Sequence, residues 1–163
     1  MNVRLRSAAI IAAVVLLDRI TKIYIRMRVS SFDTIPVIPG FFNIVHSENP
    51  GAAFGAFADS ASQWRAILLI GVSLVVMIAI GVMLWRPQPV LMRAGLELVF
   101  GGAMGNFIDR VSRGTVTDFL QFFFGSYEFP SFNAADSAIT IGAALLVLDL
   151  LLASQRNRGT MKV

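Results

Sequence analysis

Four long and nearly uncharged apolar blocks constrain this chain more than any other feature of its sequence. The first runs from about Ser7 to Ile25 and opens with the uncharged stretch Ala8 to Leu17. The second, Ala66 to Trp85, holds no charge and is bracketed by Arg65 and Arg86. The third, about Met92 to Ile108, carries Arg93 near its start and Glu97 within it, and the fourth, Ser137 to Ser154, has Asp149 as its one charge. Each approaches the roughly 20 residues that a helix needs to cross about 30 Å of hydrocarbon. In lipid every backbone polar group must be satisfied internally, which leaves helices and closed barrels, and these blocks are too long and continuous for barrel strands. Composition agrees: 56% of the residues are hydrophobic and 15% charged, against roughly a quarter charged in an ordinary soluble domain. The expected fold is an all-α membrane protein, a four-transmembrane-helix bundle forming one domain over residues 1–163. Its helices fall at about 7–26, 65–85, 92–110 and 136–154, and its outer segments at about 27–63 and 111–135.

Arg4 and Arg6 before an apolar run resemble the opening of a secretory signal. No small-x-small cleavage site follows, and Asp18-Arg19-Ile20-Thr21-Lys22 is a poor exit, so a retained first helix is expected. The net charge of +4 and pI near 10.3 do not read as nucleic-acid binding, because the cations are distributed by topology. With the N-terminus inside, Arg4, Arg6, Arg86, Arg93, Arg156, Arg158 and Lys162 fall on the inner side. Arg26, Arg28, Arg65, Arg110 and Arg113 fall outside. The short inner segments hold their cations without any acidic residue, as the positive-inside rule prefers. An even helix number then places both termini in the cytoplasm. The absence of cysteine excludes disulfides, thiol catalysis and Cys-based metal sites.

The two outer segments are joined by a short inner turn, Arg86-Pro87-Gln88-Pro89, and such unequal loops put the work outside. In the first, Ile35 to Gly40 and Phe41 to Val45 alternate turn formers with strand formers, which predicts a small extracytoplasmic β-sheet whose prolines confine the first strand to an edge. Asn49-Pro50-Gly51 is a turn signal, and Ala53 to Phe57 suits the membrane interface. Val116 to Tyr127 reads as one more short strand plus a phenylalanine-rich loop.

Ionisable groups in membrane segments are expensive, so each is a functional-site hypothesis. With a rise of 1.5 Å per residue, Asp18 and Lys22 lie in the outer half of the first helix, and Asn106 and Arg110 at about the same depth on the third. Asp136 starts the fourth helix, Asp118 and Asn133 flank that start, and Asn49 hangs in the first outer segment. Four elements thus deliver polar groups to one level near the outer surface. Structural roles compete with functional ones. Asp18 and Lys22 have the i,i+4 order of a helical ion pair, with Arg110 as a further brace or a snorkelling side chain. Asp109 reads as solvated or locally paired, Asn133 or Asp136 as a helix N-cap, and Gly101 with Gly105 as a close-packing GxxxG stripe. His46 reads as a loop residue, and Glu97 and Asp149 as partners of Arg93 and other inner-side donors.

Elimination narrows the chemistry. One histidine and no HExxH leave no ordinary zinc peptidase site, and no metal is called for. No GxSxG and no cysteine remove those nucleophiles. Lys22 would have to serve any Ser/Lys dyad, but Asp18 one turn away keeps it charged. Paired aspartates remain, and two carboxylates sharing a proton are a known hydrolytic device, one taking a proton from water and the other donating to the scissile carbonyl.

Five ordered blocks then resemble the bacterial lipoprotein signal peptidases, the signal peptidase II family, over nearly the whole chain. They are Leu17 to Lys22, Asn49 to Phe54, Gly101 to Arg110, Val116 to Phe119, and Phe129 to Ser137. The resemblance implies an aspartic endopeptidase that removes the signal peptide from diacylglyceryl-modified prolipoproteins, cutting before the lipidated cysteine. Its catalytic pair maps to Asp118 and Asp136, with Asp18, Lys22, Asn49, Asn106, Arg110 and Asn133 as supporting or substrate-contacting residues. No cofactor is expected, and the chain is read as a monomer in membrane lipid, a multi-pass protein of the bacterial cytoplasmic (inner) membrane with its site near the extracytoplasmic surface. The phenylalanine-rich stretches Phe54 to Phe57 and Phe119 to Phe124 are expected to cover that site. Pro50 departs from the family, which more often carries threonine there, and proline has no N–H to donate. A small proton-coupled transporter is the alternative, but such sites lie near the midplane between internal repeats, and no repeat is visible. A non-enzymatic scaffold leaves the convergence of polar groups unexplained.

Overall fold

The computed structural model describes residues 2–51 and 63–160. Ala53 to Phe57, read above as an interfacial segment, and Lys162 lie outside the described residues, as do the side chains of Arg65, Arg156 and Arg158. Among the described residues the chain forms helices α1 (Val3–Arg28), α2 (Gln63–Trp85), α3 (Val90–Arg113) and α4 (Ala134–Thr160). Strands β1 (Thr34–Ile38) and β2 (Phe42–Asn49) follow α1, and β3 (Val116–Phe124) and β4 (Tyr127–Phe132) lie between α3 and α4.

Local chemistry sets the helix ends. The Asn2 side chain accepts the Arg4 N–H at 3.1 Å and starts α1. Pro89, which has no N–H to waste, precedes α3. Gly114, at φ 78°, closes α3 in the left-handed conformation, with its N–H on the Arg110 carbonyl at 3.0 Å. Arg110 and Arg113 in that last turn suit the negative end of the helix.

Helix α3 is the hub, packing against α1, α2 and α4, while α2 leans chiefly on α3. Glycines bring the backbones together. A Cβ on Gly101 would stand 2.8 Å from Val14 Cβ on α1, and one on Gly102 would collide with the Ala135 carbonyl on α4. Gly95 and Gly142 face each other, each Cβ position falling 2.8 or 2.7 Å from the other residue's carbonyl oxygen. The stripe on α3 is therefore a packing device. Two helices, Ile67–Trp85 and Ala134–Gln155, hold windows long and apolar enough to cross a membrane. Those windows are only 11% buried, with Val75, Ile78, Leu150 and Leu151 facing outward. α1 and α3 instead carry charges on their inward faces.

The sheet is antiparallel in the order β1-β2-β3-β4. As expected, proline-bearing β1 is an edge strand. The second outer segment corrects the sequence reading: it is a hairpin of two strands, reversing at Gly125 (φ 65°), rather than one strand and a loop. Pro130 disguised β4, and the ladder tolerates it because β4 is the other edge. His46 is likewise in strand β2, not in a loop. Ile25 and Val29 at the end of α1 pack on Phe119, fixing the sheet over that end of the bundle.

Candidate active site

Asp118 is the third residue of β3 and lies opposite Ser47 of β2, where the ladder shifts register. Such irregularities re-aim side chains beside functional sites. Its carboxylate is buried and accepts two amide N–H groups: Asn133 Nδ2 on Oδ1 at 2.7 Å and Asn49 Nδ2 on Oδ2 at 2.9 Å. Asp136 stands in the first turn of α4. There Asn133 is the N-cap, its Oδ1 accepting the Asp136 N–H at 3.0 Å, while Asp136 Oδ2 accepts the Asn133 N–H at 3.2 Å. This reciprocal pair is a capping box. The other oxygen, Oδ1, accepts Asn106 Nδ2 at 2.8 Å.

An asparagine amide can face either way, so its partners must decide its orientation. Here donor-only partners decide all three. The Asn106 oxygen accepts Lys22 Nζ at 2.9 Å, the Asn133 oxygen accepts a backbone N–H, and the Asn49 oxygen accepts the Gly51 N–H at 2.8 Å. Each nitrogen is thereby turned toward an aspartate. The Asn49–Gly51 contact also answers the Pro50 substitution, since the turn draws its hydrogen bond from the residue after the proline.

Beneath this layer lies a buried charge cluster. Lys22 Nζ is 2.9 Å from Asp18 Oδ2 and 2.9 Å from Asp109 Oδ2, and all three side chains are fully buried. Asp18 Oδ1 accepts the Ala135 N–H at 3.0 Å, so a carboxylate of α1 caps α4. Asp109 also pairs with Arg19 and lies 3.7 Å from Arg26. The reading of Asp109 as solvated or locally paired is therefore corrected: it joins α3 to α1 from inside the bundle. The spacing Asn106, Asp109 along α3 signalled an inward face, but which cation it met depended on the rotation of α1. Arg110 forms no ion pair or hydrogen bond with Asp18 or Lys22 among the described residues; the charges acting on it are those of Asp136, Asp118 and Asp109, and its Nε is buried without a hydrogen-bond partner.

Outside the bundle, Arg26 Nη1 donates to Thr117 Oγ1 at 2.9 Å, and that hydroxyl donates to Glu48 at 3.0 Å. Thr115 also donates to Glu48, at 2.6 Å. His46 lies between the Val29 carbonyl, 2.8 Å from Nδ1, and Glu48, 3.1 Å from Nε2. This network grips β3 just before Asp118. At the opposite end, Glu97 does not pair with Arg93 directly. Ser7 lies between them, 2.5 Å from Glu97 Oε1 and 3.3 Å from Arg93 Nη1. Asp149 has no ion pair among the described residues.

Asp118 and Asp136 line one cleft of about 550 Å³ with Asn49, Phe129, Phe132 and Thr140. The aromatic wall comes from β4. Phe119 to Phe124 do not line that cleft: Phe119 is core, and Phe122 stacks on Phe42 with ring centroids 4.6 Å apart. Burial, the largest influence, pushes the Asp118 carboxyl up to about 6; the Asn49 and Asn133 amides pull it down and the Asp136 charge pushes it further up. No cluster of metal-binding side chains occurs among the described residues.

Comparison with known proteins places this arrangement. A lipoprotein signal peptidase of Solibacter usitatus is 47% identical over 153 residues, covering 92% of this chain and 93% of that protein. One from Syntrophus aciditrophicus is 43% identical, covering 85% and 87%. Two solved structures described as bacterial membrane enzymes superpose with TM-scores of 0.83 and 0.77, at 34% and 36% identity. The first covers 93% of this chain and 90% of its own, the second 90% and 92%. The family described as signal peptidase (SPase) II matches residues 10–152, and this chain belongs to that family.

Proposed function

We propose that this peptidase removes the signal peptide from diacylglyceryl-modified prolipoproteins, cutting before the lipidated cysteine, with Asp118 and Asp136 as its catalytic dyad. The observation that carries this reading is the pair of carboxylates lining one cleft, each held by two N–H donors. Asp136, at the positive end of α4, starts ionised and takes a proton from water. The water oxygen attacks the scissile carbonyl carbon while Asp118 gives its proton to the carbonyl oxygen. As the tetrahedral diol collapses, the C–N bond breaks. Asp136 returns its proton to the leaving amine, and a diol hydroxyl returns one to Asp118. Arg110 is available to the substrate backbone, and Asn49, Asn106 and Asn133 orient the dyad. Asp18 and Lys22 hold that layer from below.

All four helices cross the membrane in this reading, with both termini cytoplasmic and the sheet on the extracytoplasmic side. The outward apolar faces of α2 and α4 support it. A scissile bond between a signal helix and a lipidated cysteine lies at the membrane surface, the level of the dyad, and the protein acts there as a monomer without nucleic acid. The carrier alternative gains no support, since the relatives are peptidases. Purified protein incubated with a lipid-modified precursor peptide should release a fragment ending one residue before the cysteine. An unlipidated peptide cut equally well would overturn the substrate assignment.

A further inference from the structure

The end of the bundle opposite the dyad holds a second cleft, of about 420 Å³, where the start of α1, the end of α2 and the start of α3 meet. Arg4, Arg6 and Arg93 line it with Trp85 and Gln88, and no acidic residue does. Arg93 is nine-tenths buried and fixed, donating to Ser7 Oγ at 3.3 Å and to the Arg86 carbonyl at 3.1 Å. Arg4 is held over the cleft by stacking on Trp85, 4.3 Å from the ring centroid. None of the three arginines makes an ion pair with a carboxylate among the described residues. Glu97 sits behind Arg93 and is reached only through Ser7, while Arg4 and Arg6 face the cleft with no carboxylate partner among the described residues, and such a basic concave site calls for an anion.

The cleft also has an apolar continuation. Arg4, Leu84 and Trp85 are shared with a narrower furrow of about 200 Å³ that runs between α1 and α2 past Ala8, Ile11 and Gly81. Gly81 leaves its floor open: a Cβ there would meet only Phe100, at 3.9 Å. Because α1 and α2 each pack on α3, a groove remains between them.

We propose that this end of the molecule binds an anionic phospholipid, its phosphate between Arg4 and Arg6 above Arg93 and one acyl chain in the furrow along Gly81. A free phosphate would use the cations and leave the furrow empty. A zwitterionic lipid would fill the furrow but bring a positive headgroup to a basic cleft. Neither matches both halves of the site.

Replacing Trp64 by phenylalanine leaves Trp85 as the one tryptophan. Its fluorescence in detergent–phosphatidylcholine micelles then reports on added lipids brominated in their acyl chains. Brominated phosphatidylglycerol should quench Trp85 at a lipid fraction at least about fivefold below that of brominated phosphatidylcholine, because cations at the membrane surface favour an anionic headgroup. Arg4→Gln with Arg6→Gln should abolish the preference, and Gly81→Leu should weaken quenching by both lipids. Cleavage at the other end should be unchanged in both variants. Equal quenching by the two lipids in the parent, or a preference that survives the double arginine variant, overturns the proposal. So does displacement of the brominated lipid by glycerol phosphate at equal concentration, which would assign the cleft to a soluble anion, or full quenching in Gly81→Leu, which would remove the acyl furrow.

Discussion

Replacing Lys22 with methionine tests how the buried layer supports the site. Its ammonium lies 2.9 Å from both Asp18 and Asp109, with no exposure on any of the three side chains. Asp109 keeps Arg19 and, 3.7 Å away, Arg26, but Asp18 loses its one cation. Leaving one partner of a buried pair uncompensated costs about 3–5 kcal/mol. At about 2–4 °C per kcal/mol for a chain of this size, the midpoint of thermal unfolding should fall by roughly 6–20 °C. Activity should fall as well, because the Asn106 oxygen keeps only the longer 3.3 Å contact from Asn133 Nδ2, and the amide that donates to Asp136 is held less firmly. Adding Asp18→Asn removes the orphaned charge while an amide oxygen can still accept the Ala135 N–H. The double variant should regain most of the lost stability but little of the activity. Scanning fluorimetry in detergent together with a cleavage assay reads both. A Lys22→Met protein as stable as the parent, or a double variant no better than the single one, would refute the account of the cluster as a charge-balanced support.

Four further outcomes follow from the same geometry. Asp118→Asn and Asp136→Asn should each lower kcat by about three orders of magnitude or more by analogy with other catalytic groups, with folded protein in size-exclusion chromatography, while Asp149→Asn stays within about twofold. In the proposed mechanism Asp118 acts protonated; with its carboxyl raised to about 6, kcat/KM should decline as pH rises through that value. Asn49→Ala deletes a donor to the ionised form, raises that carboxyl further and should move the declining limb to higher pH by about one unit, the worth of one hydrogen bond at 1.36 kcal/mol per unit. Gly105→Ala puts a Cβ 2.5 Å from Asp18 Oδ2 and should destabilise by about 1–3 kcal/mol, read as a lower unfolding midpoint together with lost turnover.

The helices were legible because each is an apolar run whose ends carry charge, proline or glycine, and those signals are local. Seven of the eight polar residues singled out from sequence, Asp18, Lys22, Asn49, Asn106, Asp118, Asn133 and Asp136, join one network of hydrogen bonds and ion pairs, and for those on helices the shared depth follows from residue count alone. What escaped was anything that depends on rotation or pairing between elements. Asp109 reads as solvated or locally paired, yet the turn of α1 against α3 buries it and pairs it with the partly exposed Arg19. Strand β4 was hidden by Pro130, whose acceptability depends on edge position, a property of the sheet and not of the segment. Ser7 between Arg93 and Glu97 is a contact 90 residues long on the glutamate side, invisible to any local pattern.

The fixed direction of the asparagine amides determines what the dyad accepts from a visitor. Lys22, a backbone N–H of α4 and the Gly51 N–H occupy the three amide oxygens, so reversing any amide would set donor against donor. The carboxylates therefore receive N–H donors from these fixed amides, and toward a visitor the proposed dyad offers oxygen lone pairs and at most one shared proton. An inhibitor that brings only carbonyls between the aspartates competes for that single proton. One that brings a hydroxyl on a tetrahedral carbon donates to the ionised carboxylate and accepts from the protonated one, matching the polarity the fold has already set.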